Sequence, residues 1–257
     1  MIIDSHQHFW DPSRADYPWM TDEVAPLRRR FSPEDLEPAL EEHGVDGTIV
    51  VQARHSLDET ETLLAIAAAT PFVLGVVGWV DLTGDVERQL GELDGALVGV
   101  RHQVHDEADP AWLLGADVQR GLQAVGEAGL VYDLLVRPRE LPAAVETVKR
   151  HPGLRFVLDH AGKAPESGRE AWAEGVSALS QLPNVTCKLS GLFTEADPVG
   201  TVARALRWFG PDRCMFGSDW PVCLLASDYG DAIAIVGDDE DVLAGTAIRT
   251  YGLRVPA

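Results

Sequence analysis

Eight short apolar runs rich in β-branched residues alternate with eight amphipathic stretches along this chain, and no other feature restricts its fold as tightly. The strand-like runs cover residues 1–5, 47–52, 72–80, 96–101, 130–136, 154–159, 184–189 and 213–216. Helical periodicity covers 33–43, 60–69, 86–93, 118–128, 140–150, 170–181, 199–209 and 239–251. Ser32-Pro33 opens the first of these with a capping hydroxyl ahead of a proline at the first helical position. Parallel strands need crossover connections, and right-handed helical crossovers repeated in this way close the sheet on itself. The expectation is an α/β chain folded as one (β/α)8 (TIM) barrel over residues 1–257, with 46% apolar residues to fill its core. Residues 10–30, with Pro12, Pro18 and Pro26, read as a long loop over the end of the first strand, not as a boundary between domains.

Charge narrows the choice of partners. Forty-one acidic against 21 basic residues give a formal charge of −20, which repels phosphate backbones and anionic bilayers, so neither nucleic acid nor membrane is expected as a partner. Cys187, Cys214 and Cys223 form no C-x-x-C pair and are odd in number, so they read as reduced and buried. With no leader pattern and no run approaching the roughly 18 apolar residues of a membrane span, a cytoplasmic location is expected. The number of subunits is left open.

Barrel enzymes work at the C-terminal ends of their strands. Around the eight ends stand His6 and His8, Gln52 and Arg54, Trp79 and Asp81, Arg101 and His102, Asp133 and Arg137, Asp159 and His160, Lys188 and Ser190, and Ser218, Asp219 and Trp220. A single His or Asp at such a place usually ties down a loop, which is the reading for Asp81, His102 and Asp159 taken alone. His6 and His8 are two residues apart on a strand and so share a face. Two neutral imidazoles converging there can hold a divalent metal, or position a water, when a carboxylate joins them. Strands one and eight become neighbours on closure, so His6, His8, His160 and Asp219 together would surround the mouth.

Six segments carry a family resemblance: Asp-Ser-His-Gln-His-Phe-Trp-Asp at 4–11, Gly-Trp-Val-Asp-Leu at 78–82, Gly-Val-Arg-His at 99–102, Leu-Asp-His-Ala-Gly-Lys at 158–163, Cys-Lys-Leu-Ser-Gly at 187–191 and Phe-Gly-Ser-Asp-Trp-Pro at 216–221. In these the chain resembles the amidohydrolase 2 group of the amidohydrolase superfamily, which includes fuconolactonase-like sugar lactonases and a pyrone dicarboxylate lactonase. The resemblance implies metal-ligand positions for His6 and His8, the histidine after the sixth strand for His160, and the general base after the eighth for Asp219. It also shows a departure, because the metal-dependent members bring a histidine from the fifth strand and, when binuclear, a bridging lysine or glutamate from the fourth. Here the fifth strand reads Tyr132-Asp133-Leu134-Leu135-Val136-Arg137 and the fourth ends in Arg101, an obligate cation that would repel a second metal.

The expected chemistry is water attack on the carbonyl of a cyclic ester. Asp219 takes the proton, His160 with Arg101 or Lys188 stabilises the oxyanion, and His6 and His8 orient the water or join Asp219 around one ion, zinc or manganese. A lactone is an activated ester, so the expected cofactor is one divalent metal or none. Arg101 and Lys188 have a blander reading as ion pairs inside the barrel with Asp133 or Asp159. Gln52, Arg54, Trp79, Arg137, Trp10 and Trp220 are the candidate substrate contacts, the indoles suiting a small sugar ring or else packing the first loop. Arg54, Arg101 and Arg137 would equally suit a carboxylated ring. A small sugar lactone is the preferred substrate, ahead of non-oxidative decarboxylation of an aromatic or related acid and of a non-catalytic, metabolite-binding barrel.

Overall fold

Every neighbouring pair of strands in the sheet is parallel, and spatial order follows chain order. The strands are β1 (Ile3–Gln7), β2 (Gly47–Val51), β3 (Val73–Gly78), β4 (Leu97–His102), β5 (Val131–Leu134), β6 (Arg155–Leu158), β7 (Val185–Leu189) and β8 (Cys214–Phe216). The computed structural model describes residues 1–255. Around the sheet lie α1 (Pro33–His43), α2 (Leu57–Ala69), α3 (Val86–Glu92), α4 (Ala116–Glu127), α5 (Leu141–Arg150), α6 (Arg169–Ser180), α7 (Pro198–Phe209), α8 (Tyr229–Ala234) and α9 (Thr246–Tyr251). This is the expected (β/α)8 barrel. Ser32 caps α1 through a reciprocal bond with Asp35, with Pro33 at the first helical position.

Backbone bonds beyond the last strand close the barrel. Asp219 N donates to the His6 carbonyl at 2.7 Å and His8 N to the Trp220 carbonyl at 2.7 Å, while Gln7 bridges Trp220 in parallel. The other end is plugged by the chain terminus. Ile3, Ile49, Val51, Val77, Val131, Val157 and Met215 share one apolar cluster with Ala247 and Tyr251 of α9. Only the barrel interior can bring residues of six strands together, so the C-terminal helix closes it from below and leaves the polar mouth opposite.

Several boundaries differ from the sequence expectation. β3 ends at Gly78, which puts Trp79 and Asp81 in the loop beyond it, and β1 extends far enough to include His6. Residues 239–251 do not form one α-helix: Asp239 Oδ1 accepts from the N–H groups of Asp241 and Val242, a π-helical turn follows over Asp241–Gly245, and α9 starts only at Thr246. The extra helix α8 begins at a capping box between Asp228 and Asp231. The three cysteines are free and buried, and among the described residues no helix is long and apolar enough to cross a membrane.

Candidate active site

The bonds that close the barrel also assemble the site, because Asp219 is tied to the backbone of His6 and thereby to the side chains of β1. His6 Nε2 and His8 Nε2 stand 3.2 Å apart, with Asp219 Oδ1 at 3.6 and 3.3 Å from them. Plain alternation would also put Asp4 on this face. Instead the β1–β2 pairing shifts register between Asp4 and Gln7, and Asp4 bonds to Ser218 and to Tyr229 of α8. Such a bulge re-aims side chains without ending the strand.

Three donors around one tetrahedral ion, each at about 2.0–2.1 Å, lie roughly 3.3 Å from one another. The observed spacings match that figure, so the donor set fits a single divalent metal. Tautomers agree: His8 Nδ1 lies 2.7 Å from the Val51 carbonyl and His6 Nδ1 faces Asp159 Oδ1 at 3.4 Å. Both neighbours only accept hydrogen bonds, which assigns each neutral ring's proton to Nδ1 and leaves both Nε2 lone pairs facing the centre. The Arg101 guanidinium stands 3.2 Å from His6 Nε2, so a cation already meets one of those lone pairs.

His160 completes the group. Its Nδ1 is 2.9 Å from the Ser190 hydroxyl, and its ring centroid lies 4.6 Å from that of His6. His160 and Asp219 both hold left-handed backbone conformations, with φ of 53° and 58°, which cost L-residues roughly 1–2 kcal/mol each. Burial pushes the pKa of His6 and of His160 well below the usual histidine range, so both rings are neutral. Burial pulls Asp219 the other way, but His160 and His8 beside it outweigh that and hold the carboxyl below its ordinary value. It is ionised and can accept a proton.

Beneath the site lies a closed ion network. Lys188, with no exposed surface, pairs with Asp133 at 2.5 Å and Asp159 at 3.4 Å, and Arg101 pairs with Asp159 at 2.9 Å. Tyr251 of α9 donates to both oxygens of Asp133. Burial pushes Asp133 up to about 6; it would raise Asp159 too, but the Lys188 ammonium, with His6 beside it, holds that carboxyl well below its usual range. The expectation that Lys188 meets an oxyanion is therefore corrected: two cations are neutralised by two carboxylates inside the barrel. Arg101 also gives up its place at the oxyanion, since its other terminal nitrogen donates to the Gln52 carbonyl.

Residues 3–253 match the family model described as amidohydrolase. The chain belongs to the amidohydrolase family. It is 43% identical over 241 residues to an L-fucono-1,5-lactonase of Burkholderia ambifaria, covering 89% of this chain and 83% of that one. An L-fucono-1,5-lactonase of Burkholderia multivorans is 39% identical, with 99% and 97% covered. A crystal structure of an amidohydrolase from Burkholderia multivorans with bound zinc superposes with a TM-score of 0.93 at 38% identity, covering 99% of this chain and all of that one.

Not every residue expected at the mouth of this amidohydrolase is there. Trp10 is buried among Tyr17, Trp19 and Phe31 with its indole N–H on the Leu27 carbonyl, and Trp220 is buried against Phe9 and Phe31. Both pack the long loop and are corrected from substrate contacts to core. Gln52 is fully buried and donates to the Arg101 carbonyl, so it supports Arg101. Arg54 lines a lateral cavity of about 540 Å³ between the first loop, α1 and α2, whose lining includes none of His6, His8, His160 and Asp219. Arg137 is exposed, its backbone N–H held by Glu140.

Trp79 does stand at the mouth, in a stack that the sequence reading missed. His55 lies 3.9 Å from the His102 ring, Trp112 lies 4.1 Å beyond it, and the Trp79 indole N–H donates to His102 Nδ1. His102 Nε2 meets Glu107 at 2.8 Å, so both its nitrogens are committed and the His55–His102–Glu107 group carries hydrogen bonds in place of an ion. Ser190, Asp159 and Gly191 were also passed over for the site. Adjacency to His160 was the signal for Asp159, and the strand-end position for Ser190; Gly191 offered none.

Proposed function

We propose that this amidohydrolase opens a small sugar lactone, and that L-fucono-1,5-lactone is the first candidate because two relatives bear that activity in their names. The observation that carries the reading is the convergence of His6, His8 and ionised Asp219 beside neutral His160 at the barrel mouth. Asp219 takes a proton from water as its oxygen bonds to the carbonyl carbon, and the carbonyl π pair moves onto oxygen. Collapse of the tetrahedral intermediate expels the ring oxygen, which takes the proton back from Asp219. His160, held at Nδ1 by Ser190, presents Nε2 to the carbonyl side, while His6 and His8 orient the water. A divalent ion bound by His6, His8 and Asp219 would add Lewis-acid charge and ease ionisation of that water. The flat Trp79–His55–His102 wall suits the C–H face of a sugar ring.

The test is a pH-indicator assay across aldono-1,4- and 1,5-lactones with wild type and Asp219→Asn. We expect release of acid from a small set of sugar lactones, and a loss of about 10²–10⁴-fold in the variant with its fold intact. Wild-type turnover by Asp219→Asn would remove Asp219 as the base.

A further inference from the structure

We infer that Lys163 supplies the positive charge that meets the lactone carbonyl oxygen and then the carboxylate of the opened acid, an assignment that rests on the lactonase reading. A neutral lactone becomes an anion on hydrolysis, so the site needs a cation that is not already neutralised. Arg101 and Lys188 are bound to Asp133 and Asp159, Arg54 lines the lateral cavity, and Arg137 is exposed. Lys163, on the turn that carries His160, is the candidate among the described residues, since its one carboxylate contact is a loose one to Glu195.

Its placement is built into the turn that carries His160. His160, Ala161, Gly162 and Lys163 run consecutively through left-handed conformations, with φ of 53°, 48°, 73° and 51°. Three of these four are not glycine, and such strain persists only where the surroundings enforce it. Here the buried Trp172 of α6 donates its indole N–H to the Ala161 carbonyl at 2.9 Å, pinning the middle of the turn. The direction in which Lys163 leaves the backbone is thereby fixed relative to His160. Its ammonium is mostly buried, with 20% of the side chain exposed, and its carboxylate partner among the described residues, Glu195, stands 3.5 Å away. That is beyond a well-formed hydrogen bond, so donors remain for a substrate oxygen.

The experiment compares wild type, Lys163→Met and Lys163→Arg in two readouts: kcat and KM on the best lactone, and calorimetric affinity for the aldonate product, L-fuconate for the first candidate. Circular dichroism and melting confirm that each variant is folded. Lys163→Met should lose about 100-fold in kcat, the scale of one lost oxyanion donor, and bind the aldonate at least about tenfold more weakly. Lys163→Arg should recover much of both. Unchanged kcat and aldonate affinity in folded Lys163→Met would overturn the inference while leaving the lactonase reading intact. If wild type hydrolysed no lactone, that reading would fail by itself; equal aldonate binding by wild type and Lys163→Met would then overturn the Lys163 assignment as well.

Discussion

Gly191 has a φ of 62° and no room for a side chain: a Cβ there would lie 2.7 Å from His160 Nδ1 and 3.0 Å from Asp219 Oδ2. Gly191→Ala should therefore cost activity twice over, through about 1 kcal/mol of left-handed strain and through displacement of the proposed catalytic pair, His160 and Asp219. A shift of about 1 Å at reacting groups can cost on the order of 100-fold, so kcat/KM should fall at least that far. Gly44, with φ of 65° and nothing within 4 Å of its would-be Cβ, isolates the strain. Gly44→Ala should lose similar stability in urea and keep full turnover; equal activity loss in both variants would sink the steric argument. Gly191 shows why the site was only partly readable beforehand. His6, His8, His160 and Asp219 announce themselves by residue type at strand ends, whereas the value of Gly191 and Lys163 depends on backbone angles that residue type does not encode. The destination of Lys188 was also hidden, since a lysine at a strand end points up to the mouth or down into the barrel according to which carboxylate it meets.

The eight strands and most of their helices were readable because burial on both faces leaves continuous apolar runs, and amphipathic periodicity marks the crossovers between them. What periodicity could not show was the π-helical turn before α9, or that α9 leaves the outer layer to plug the barrel. Tyr251 does both jobs of such a plug: its ring joins Ile3, Val131 and Met215, and its hydroxyl bridges both oxygens of Asp133 at 2.8 and 2.9 Å. Tyr251→Phe keeps the ring and removes the donor from a fully buried carboxylate. The expected loss is about 1–3 kcal/mol of unfolding free energy in urea, with kcat on the best lactone unchanged, because the hydroxyl serves the floor of the barrel and not its mouth. A variant as stable as wild type would mean that Lys188 alone satisfies Asp133.

Across the whole molecule, metal binding and catalysis should come apart. His6, His8 and Asp219 offer three donors at tetrahedral spacing, but Arg101 already meets His6 Nε2, so the constellation is electrostatically complete before any ion enters. The same guanidinium, with Lys188 beneath, disfavours a second ion. One weakly held metal is expected, stabilising the fold by mass action without setting the rate: at a hundredfold excess over Kd it adds about 2.7 kcal/mol, and roughly 2–4 °C in Tm for each of those kcal/mol in a chain of this size. The net charge of −20 also attracts divalent ions without selectivity, so the titration needs His6→Ala as its blank. After dialysis against a strong chelator, with removal checked by elemental analysis, the enzyme should keep lactone turnover within about tenfold of its starting value, given how little electrophilic help an activated ester needs. Zinc should then raise Tm in wild type and not in His6→Ala, while kcat stays near its metal-free value. Complete inactivation on chelation, reversed by one equivalent of zinc or manganese, would overturn this separation and place the ion in the catalytic step itself.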